Sequence, residues 1–285
     1  MIGDPSVNNP PTIAVSVVIF QPDVVWLERT LRSLAKALSF AHEAEEIGAA
    51  RIYLVDNGAA TRVSDSQSLL DGIFQSSPPW LSITTIAGQG NRGYGAGNNL
   101  AFARDADADF LLVLNPDVDM DSAAIANGVR FLRADENCAM VTPVAAATDG
   151  SPLYLVKREP RVTTLLLRGF APAFVQSWFA GRMADYERRS EGWDTALDDV
   201  RHASGCFMLM RRPAFDLAGG FDEEFFLYFE DFDLSLRISQ SSRIARCPDC
   251  RILHDGGGAS AKGLGHVWMF ARSAVRFFNK HGWRW

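Results

Sequence analysis

Three carboxylates and one imidazole stand where side-chain chemistry is easiest to run. Asp56 closes the apolar run in Tyr53-Leu-Val-Asp-Asn-Gly58, and a carboxylate there is costly to desolvate unless it meets a donor or a cation. It reads either as an Asx turn into Asn57-Gly58 or as a contact to a ligand's imide or hydroxyl groups. Asp117, in Leu111-Leu-Val-Leu-Asn-Pro-Asp-Val-Asp119, offers oxygen donors on a short turn, which is what a hard divalent ion takes together with substrate phosphates. The alternative is a plain turn, with Pro116 fixing the backbone and Asp121 capping the next helix. Asp231 lies in Gly219-Gly-Phe-Asp-Glu-Glu-Phe-Phe-Leu-Tyr-Phe-Glu-Asp-Phe-Asp-Leu-Ser-Leu-Arg237, where large aromatics interleave with acids. Aromatic neighbours desolvate a carboxylate and raise its pKa, which prepares a general base; Glu230, Asp231 and Asp233 would equally suit the first turn of a helix. His254 ends the short apolar run after Arg251 and precedes Asp255-Gly-Gly-Gly258, a place from which it could ligate a metal or touch phosphate.

The segments that must position these groups are apolar β-branched runs alternating with helical stretches. Strands are expected at Ile13 to Phe20, Arg51 to Val55, Leu81 to Ile86 and Phe110 to Leu114, and helices at Val24 to Phe40 and Ala96 to Ala106. Nearly unbroken apolar runs suit parallel strands covered on both faces. Ligands of such open sheets bind beyond the carboxyl ends of the strands, where Phe20, Asp56, Asn57, Gly88 to Asn99 and Asn115 to Asp117 fall. The stretch Gly90-Asn-Arg-Gly-Tyr-Gly-Ala-Gly-Asn-Asn99 does not match the dinucleotide fingerprint and follows the third strand, so a nicotinamide site is not expected. Its small residues permit close approach to a ligand, the next helix presents a positive end to an anion, and Arg92 can bond phosphate; a purely structural glycine turn is the other reading.

Beyond Asp117 the pattern changes. Strands are expected at Cys138 to Ala145, Leu153 to Lys157 and Ala203 to Arg211, with mostly helix and loop over the arginine-bearing stretch Thr163 to Arg201. Cys247-Pro-Asp-Cys250 has redox or half-zinc spacing but no second pair, and reads as two incidental, partly buried thiols. No long linker, repeat or low-complexity tract divides the chain. One domain over residues 1–285 is expected, with two packed halves at about 13–117 and about 118–285, to which the resemblance given below assigns nucleotide-sugar binding and acceptor binding.

The 285 residues are 47% hydrophobic and 22% charged with a formal charge of -6, a soluble globular composition without the net basic character of a nucleic-acid binder. No apolar run approaches the length needed to span a bilayer, and Met1 to Pro11 lacks a signal-peptide pattern. With four cysteines that fit a reducing compartment, the expected location is cytoplasmic.

Taken in order, VSVVIF, LVDNG, GNRGYGAGNN, LLVLNPDV, GGFDEEFFLYFEDFDLSLR and ILHDGGGAS resemble the inverting family 2 glycosyltransferases of the GT-A fold, especially the rhamnosyltransferase-like branch. That resemblance implies an α/β fold in which a Rossmann-like half with a mainly parallel sheet packs on a smaller mixed half. It also implies a sugar, rhamnose from dTDP-rhamnose before a UDP-linked sugar, moved to a hydroxyl of a bacterial surface-polysaccharide acceptor of the polyprenyl-linked kind. By the same resemblance Asp56 binds the nucleoside, with Phe20, Asn57, Arg92, Gly93, Asn98 and Asn115 as further donor contacts. Asp117, with His254, would hold Mg or Mn; Asp119 is the weaker ligand, because the aligned triplet is Asn115-Pro116-Asp117. Asp231, beside Glu230, corresponds to the catalytic base. A catalytically silent nucleotide-sugar-binding subunit is the competing class. A nucleotidyltransferase is disfavoured, since Phe20-Gln-Pro-Asp23 carries neither glycine nor lysine. The last helix, Val267 to Lys280, is expected to pack Val267, Phe270, Ala271, Ala274 and Phe278 into the core, with peripheral contact at the inner face of the plasma membrane as the other use of its tryptophans and basic residues.

Overall fold

The computed structural model describes residues 9–58, 63–255 and 264–285; the glycine turn expected after Asp255 lies outside them. Strand β1 (Thr12–Ile19) sends Ile13, Val15, Val17 and Ile19 into one apolar layer and Ala14 and Val18 into the other, which is why its sequence is apolar throughout. Helix α1 (Val24–Glu43) starts where the Asp23 carboxylate accepts the N–H groups of Val25 and Trp26 at 2.9 and 3.1 Å. It buries Leu27, Leu31, Leu34 and Leu38, spaced three to four residues apart. Then come β2 (Ala49–Asp56), α2 (Val63–Phe74), β3 (Leu81–Ile86), α3 (Tyr94–Phe102) and β4 (Phe110–Leu114). Strand β1 lies between β2 and β4, and β3 lies beyond β2, all parallel. The expected strands stand within two residues of their bounds, and α3 begins two residues earlier than the pattern suggests.

The chain continues as β5 (Val118–Met120), α4 (Ala124–Ala134), β6 (Cys138–Ala146), β7 (Pro152–Leu153), β8 (Val156–Lys157), α5 (Val162–Phe170), α6 (Ala173–Trp178) and α7 (Ala180–Tyr186). It closes with β9 (His202–Ala203), β10 (Phe207–Arg211), α8 (Arg212–Ala218), α9 (Glu230–Ser239), β11 (Arg243–His254) and α10 (Leu264–His281). Among the described residues the main sheet runs β3-β2-β1-β4-β10-β6-β11-β5, with β7 on β6. Strand β10 is antiparallel to both β4 and β6, while β11 is parallel to β6. The result is a mixed α/β fold with a mainly parallel sheet, as the motifs imply.

Three sequence expectations are corrected here. The runs Leu153 to Lys157 and Ala203 to Arg211 are each broken in two, because β8 and β9 pair with each other in a separate small sheet while β7 and β10 join the large one. Asp121 does not cap α4; its carboxylate accepts the Ala123 N–H at 2.9 Å in a turn before the helix. Strand β11 extends well upstream of the apolar run at Arg251. Its charged and proline residues hid it, yet Arg246 is buried with its guanidinium on the carbonyls of Gly192 and Thr195, both at 2.7 Å, and a bulge between Cys247 and Arg251 takes up Pro248, Asp249 and Cys250. Cys247 before the bulge and Cys250 within it are free, buried thiols, and Cys250 Sγ donates to the Ala124 carbonyl at 3.2 Å.

The buried stripe of α10 is Phe270, Ser273, Ala274, Phe277 and Phe278, so Ala271 is exposed rather than inside. The helix is tied to α9 through Asp233, which is wholly buried and meets Arg237 at 2.6 Å, Lys280 at 2.7 Å and His281 at 2.8 Å. Arg276 and Lys280 also pair with Asp222, at 3.2 and 2.7 Å. Glycines set the distance between α3 and β1: a Cβ on Gly97 would lie 2.9 Å from both Cγ atoms of Val18.

Two stability measurements test this packing. Asp233→Ala removes the shared partner of Arg237, Lys280 and His281 and is expected to lower unfolding free energy by about 3 kcal/mol in urea melts; a loss under about 1 kcal/mol would place the cluster with ordinary surface pairs. Gly97→Ala is expected to cost about 1–3 kcal/mol, because the β-branched Val18 has no spare rotamer to yield, and an unchanged melt would refute the close approach.

Candidate active site

The carboxyl edges of β2, β1 and β4 lie side by side, and the sequence-predicted groups gather there. Asp56 pairs in register with Ile19, and the Asn57 N–H donates to the Ile19 carbonyl at 2.9 Å. The Asp56 carboxylate accepts the Gly58 N–H at 2.7 Å, an Asx turn that leaves further lone pairs on a nearly buried side chain. Gln89 reaches across from the loop after β3 and donates to the Asp56 carbonyl at 2.8 Å and to Asn57 Oδ1 at 3.2 Å. Asn57 in turn donates to the Gly93 carbonyl at 3.0 Å. Phe20, just past β1, is 53% exposed, and the following Gln21 is left-handed with φ 48°. The turn thus leaves an aromatic face open beside Asp56.

At the end of β4, the Asn115 N–H donates to the Cys206 carbonyl at 2.9 Å, and Asp117 follows the proline. Asp117 Oδ1 lies 3.2 Å from His254 Nε2, and the Asp255 N–H donates to the Asp117 carbonyl at 3.1 Å. Pairing of β5 with β11, His254 opposite Val118, is what brings the histidine to the carboxylate across the fold. A carboxylate oxygen and an imidazole nitrogen at this spacing fit a manganese- or magnesium-type ion, which commonly takes one or two protein carboxylates and fills its shell with phosphate oxygens and water. Among the described residues no third His, Cys, Asp or Glu joins them. Asp119 is engaged elsewhere, held by Arg29 of α1 at 2.7 Å.

Asp231 enters the same edge from α9. Its Oδ2 accepts the Gly205 N–H at 2.9 Å and its Oδ1 the Phe232 N–H at 2.8 Å. Burial pushes its pKa up to about 6, against these two donors, which pull it down. Glu230 beside it is almost fully buried and is pushed well above the usual carboxylate range, first by burial and then by the charge on Asp231. The two titrate as a pair, and Asp231, with its backbone donors, is the one that ionises first. Helix α9 starts from two consecutive left-handed residues, Tyr228 at φ 70° and Phe229 at φ 66°, an uncommon and strained conformation for aromatics. That kink sets the three acids in the first turn, where the helix dipole favours them.

The turn Ser204 to Cys206 joins the two ends of the site. Gly205 holds Asp231, its carbonyl accepts the Tyr94 hydroxyl at 2.8 Å, and Cys206 holds Asn115. Cys206 is buried among carboxylates, and burial followed by the charges on Asp117 and Asp231 pushes its thiol up to about 12. Gln89, Tyr94, Gly205 and Arg29 carry no role in the sequence reading; the signals available for them are Tyr94's place among the glycines of Gly90 to Asn99 and the glycine in Ala203-Ser-Gly-Cys206.

The glycine-rich stretch is built differently from the expectation. Gly93, at φ 92°, would drive a Cβ to 2.4 Å from the Phe226 carbonyl oxygen, and a Cβ on Gly95 would lie 2.9 Å from Phe221. These glycines let α3 press on the Phe221 to Phe226 segment. Asn98 is wholly buried, with Nδ2 donating to the Tyr94 carbonyl at 3.0 Å, so it braces α3 from inside and does not line the crevice. Arg92 is half exposed and lies 3.4 Å from the equally exposed Glu223.

No family model matches the sequence. The rhamnosyltransferase WbbL of Escherichia coli K12 is 29% identical over 172 residues, 57% of this chain and 60% of that protein. An N-acetylglucosaminyl-diphospho-decaprenol L-rhamnosyltransferase of Mycobacterium tuberculosis is 28% identical over 175 residues, 58% of this chain and 56% of its own length. The chain therefore matches somewhat over half the length of these curated relatives. In fold it is similar to the mannosyltransferase PcManGT of Pyrobaculum calidifontis in complex with GDP-Man and Mn2+, with a TM-score of 0.59, 17% identity, and coverage of 93% of this chain and 64% of that one. In sequence the chain is thus similar to curated rhamnosyltransferases, and its architecture is that of the GT-A-fold glycosyltransferases.

Proposed function

We propose that this protein transfers a hexosyl unit, rhamnose before other sugars, from a nucleoside diphosphate to a hydroxyl of a growing glycan, with inversion at the anomeric carbon. The observation that carries the reading is Asp231, a carboxylate held by two backbone N–H groups at the sheet's carboxyl edge and raised to about 6. Such a group is ionised at neutral pH yet more basic than an ordinary aspartate, which is what a general base needs. The relatives' names favour rhamnose as the sugar and, for one, a decaprenol-linked acceptor. A dTDP-linked donor is the first choice and a UDP-linked donor the second.

In this reading Asp56 and Asn57 take the base or ribose, with Phe20 offering a face to the base. The Asp231 carboxylate removes the proton of the acceptor hydroxyl while that oxygen attacks the anomeric carbon. The bond from that carbon to the diphosphate oxygen breaks, and the nucleoside diphosphate leaves from the opposite face with the electron pair. Glu230 stays protonated beside Asp231. Asp117 and His254 would hold a divalent cation, Mg or Mn, which when bound offsets charge on the departing diphosphate. Binding of nucleotide without turnover of any donor would instead favour a silent binding subunit.

Two experiments test the roles. Asp231→Asn should lower transfer by about 10²–10⁴-fold while donor affinity measured by calorimetry stays the same; in the parent protein kcat/KM should climb with pH through about 6 and then level, since the deprotonated form is the active one. Transfer retained in the variant, or a profile flat across that range, would exclude Asp231 as base. Asp117→Ala should remove the manganese-dependent part of the rise in Tm that a dTDP- or UDP-sugar produces, and Asp119→Ala, already paired with Arg29, should keep it. The reverse order would move the metal to Asp119.

A further inference from the structure

The basic stripe of α10 is spoken for within the protein: Arg276 and Lys280 pair with Asp222, and Lys280 also with Asp233. A different surface carries unneutralised charge beside large exposed apolar groups. On α5 to α7, Leu166 is 52% exposed, Phe174 61%, Trp178 75% and Phe179 42%, and the rings of Phe174 and Trp178 meet edge to face at 5.8 Å. Residues 161–184 hold Arg161, Arg168 and Arg182 and no carboxylate, in a chain whose net charge is -6. Among the described residues no ion pair engages Arg161 or Arg168, both exposed, and Arg182 bonds only the hydroxyls of Thr163 and Thr164, at 2.5 and 3.0 Å.

The C-terminal tail joins this unit. The Val162 N–H donates to the Arg284 carbonyl at 2.9 Å, and Leu165 packs in one cluster with Phe277 and Phe278. Trp283 stacks on Phe278 at 5.4 Å and Trp285 on Trp283 at 6.0 Å, leaving the two tryptophans 46% and 70% exposed. Soluble proteins seldom leave so many large apolar groups in water on one joined unit without a partner. Short helices bearing tryptophan and phenylalanine with arginine in excess of acid, the one carboxylate of α7 being Asp185 beside Arg158 at its end, have the chemistry of a bilayer interface, where rings seat among the headgroups and guanidinium groups meet lipid phosphate. No helix among the described residues is long and apolar enough to cross a membrane, so the contact is peripheral.

We propose that α5 to α7, together with Trp283 and Trp285, form a surface that docks the protein on an anionic lipid bilayer. The charge pattern selects this occupant over a second copy of the chain, which would bring the same arginines against one another. The proposal goes beyond the reaction argued above and does not depend on it.

The test is co-sedimentation of the full chain, with neither donor nor acceptor, on vesicles of phosphatidylcholine alone or of equal parts phosphatidylcholine and phosphatidylglycerol. Binding is expected on the anionic vesicles, weaker on the neutral ones, and reduced by salt. Arg161→Gln with Arg168→Gln should lower the partition coefficient by roughly ten- to thirtyfold, and Phe174→Ala with Trp178→Ala by at least about tenfold. Trp268→Ala, on the exposed side of α10, should leave it unchanged, and near-ultraviolet circular dichroism should confirm that each variant is folded. No binding to anionic vesicles, equal binding by the α5 and α6 variants, or loss only in Trp268→Ala would overturn the proposal. So would concentration-dependent self-association of the parent chain that the same substitutions abolish without changing vesicle binding. Because sugar transfer plays no part in the assay, its outcome is separate from that of the Asp231 and Asp117 variants.

Discussion

The hydrogen bond from the Gly205 N–H to Asp231 Oδ2, 2.9 Å long, couples the helical half of the molecule to the sheet. Gly205 belongs to the turn that leads into β10, the antiparallel strand between β4 and β6, so the position of Asp231 is referred to the centre of the sheet rather than to its own helix. A side chain at that turn has little room: a Cβ on Gly205 would lie 3.1 Å from Asp231 Cβ and 3.4 Å from the Tyr94 ring. The same turn accepts the Tyr94 hydroxyl and the Asn115 N–H through successive carbonyls. One three-residue turn therefore fixes α3, α9 and the end of β4 against one another, and with them the distance from the base candidate to the Asp117 and His254 pair.

Two aspartates on one helix, two residues apart, show how burial alone does not decide a carboxylate's behaviour. Asp233 is enclosed by Arg237, Lys280 and His281 and serves as an anchor for α10. Asp231 meets backbone N–H groups and no cation, and its burial raises its pKa to about 6. The pattern of neighbouring acids with diverging environments is the one that separates a structural role from a proton-transfer role. Glu230, further inside and beside a charge of the same sign, is pushed well above the usual carboxylate range, which favours its neutral form.

The glycine-rich stretch before α3 answers to packing more than to ligand approach. Gly93 meets the backbone of Phe226, Gly95 the side chain of Phe221 and Gly97 that of Val18, so three closely spaced glycines seat one helix in a gap narrower than any Cβ allows. The Tyr94 N–H and Asn99 then bond the carbonyls of Phe226 and Phe221, which ties the acidic aromatic segment to the half that holds β1 to β4. The crevice has its walls because this contact is close.

What the sequence alone determined is whatever depends on local order: unbroken β-branched runs force strands covered on both faces, Asp23 starts a helix, and Asp56 and Asp117 follow directly on strand ends and so must lie at the carboxyl edge of a parallel sheet. The order of the motifs carried the GT-A resemblance for the same reason, since each motif is tied to one strand or turn. What the tertiary structure decided are the facts set by long-range pairing. Strand β11, broken by proline and charge, becomes a strand because both sides of its bulge pair with β6 and its buried Arg246 finds partners some fifty residues away. His254 reaches Asp117 through the β5 and β11 pairing, and Asp119 is taken by an arginine ninety residues earlier. Asn98, a donor contact by the resemblance, lies inside with its amide on the Tyr94 carbonyl, and Arg92 stands 3.4 Å from Glu223. Types and spacing state what a residue can do; which neighbour it meets is set by how the sheet closes, and that depends on pairings no local pattern encodes.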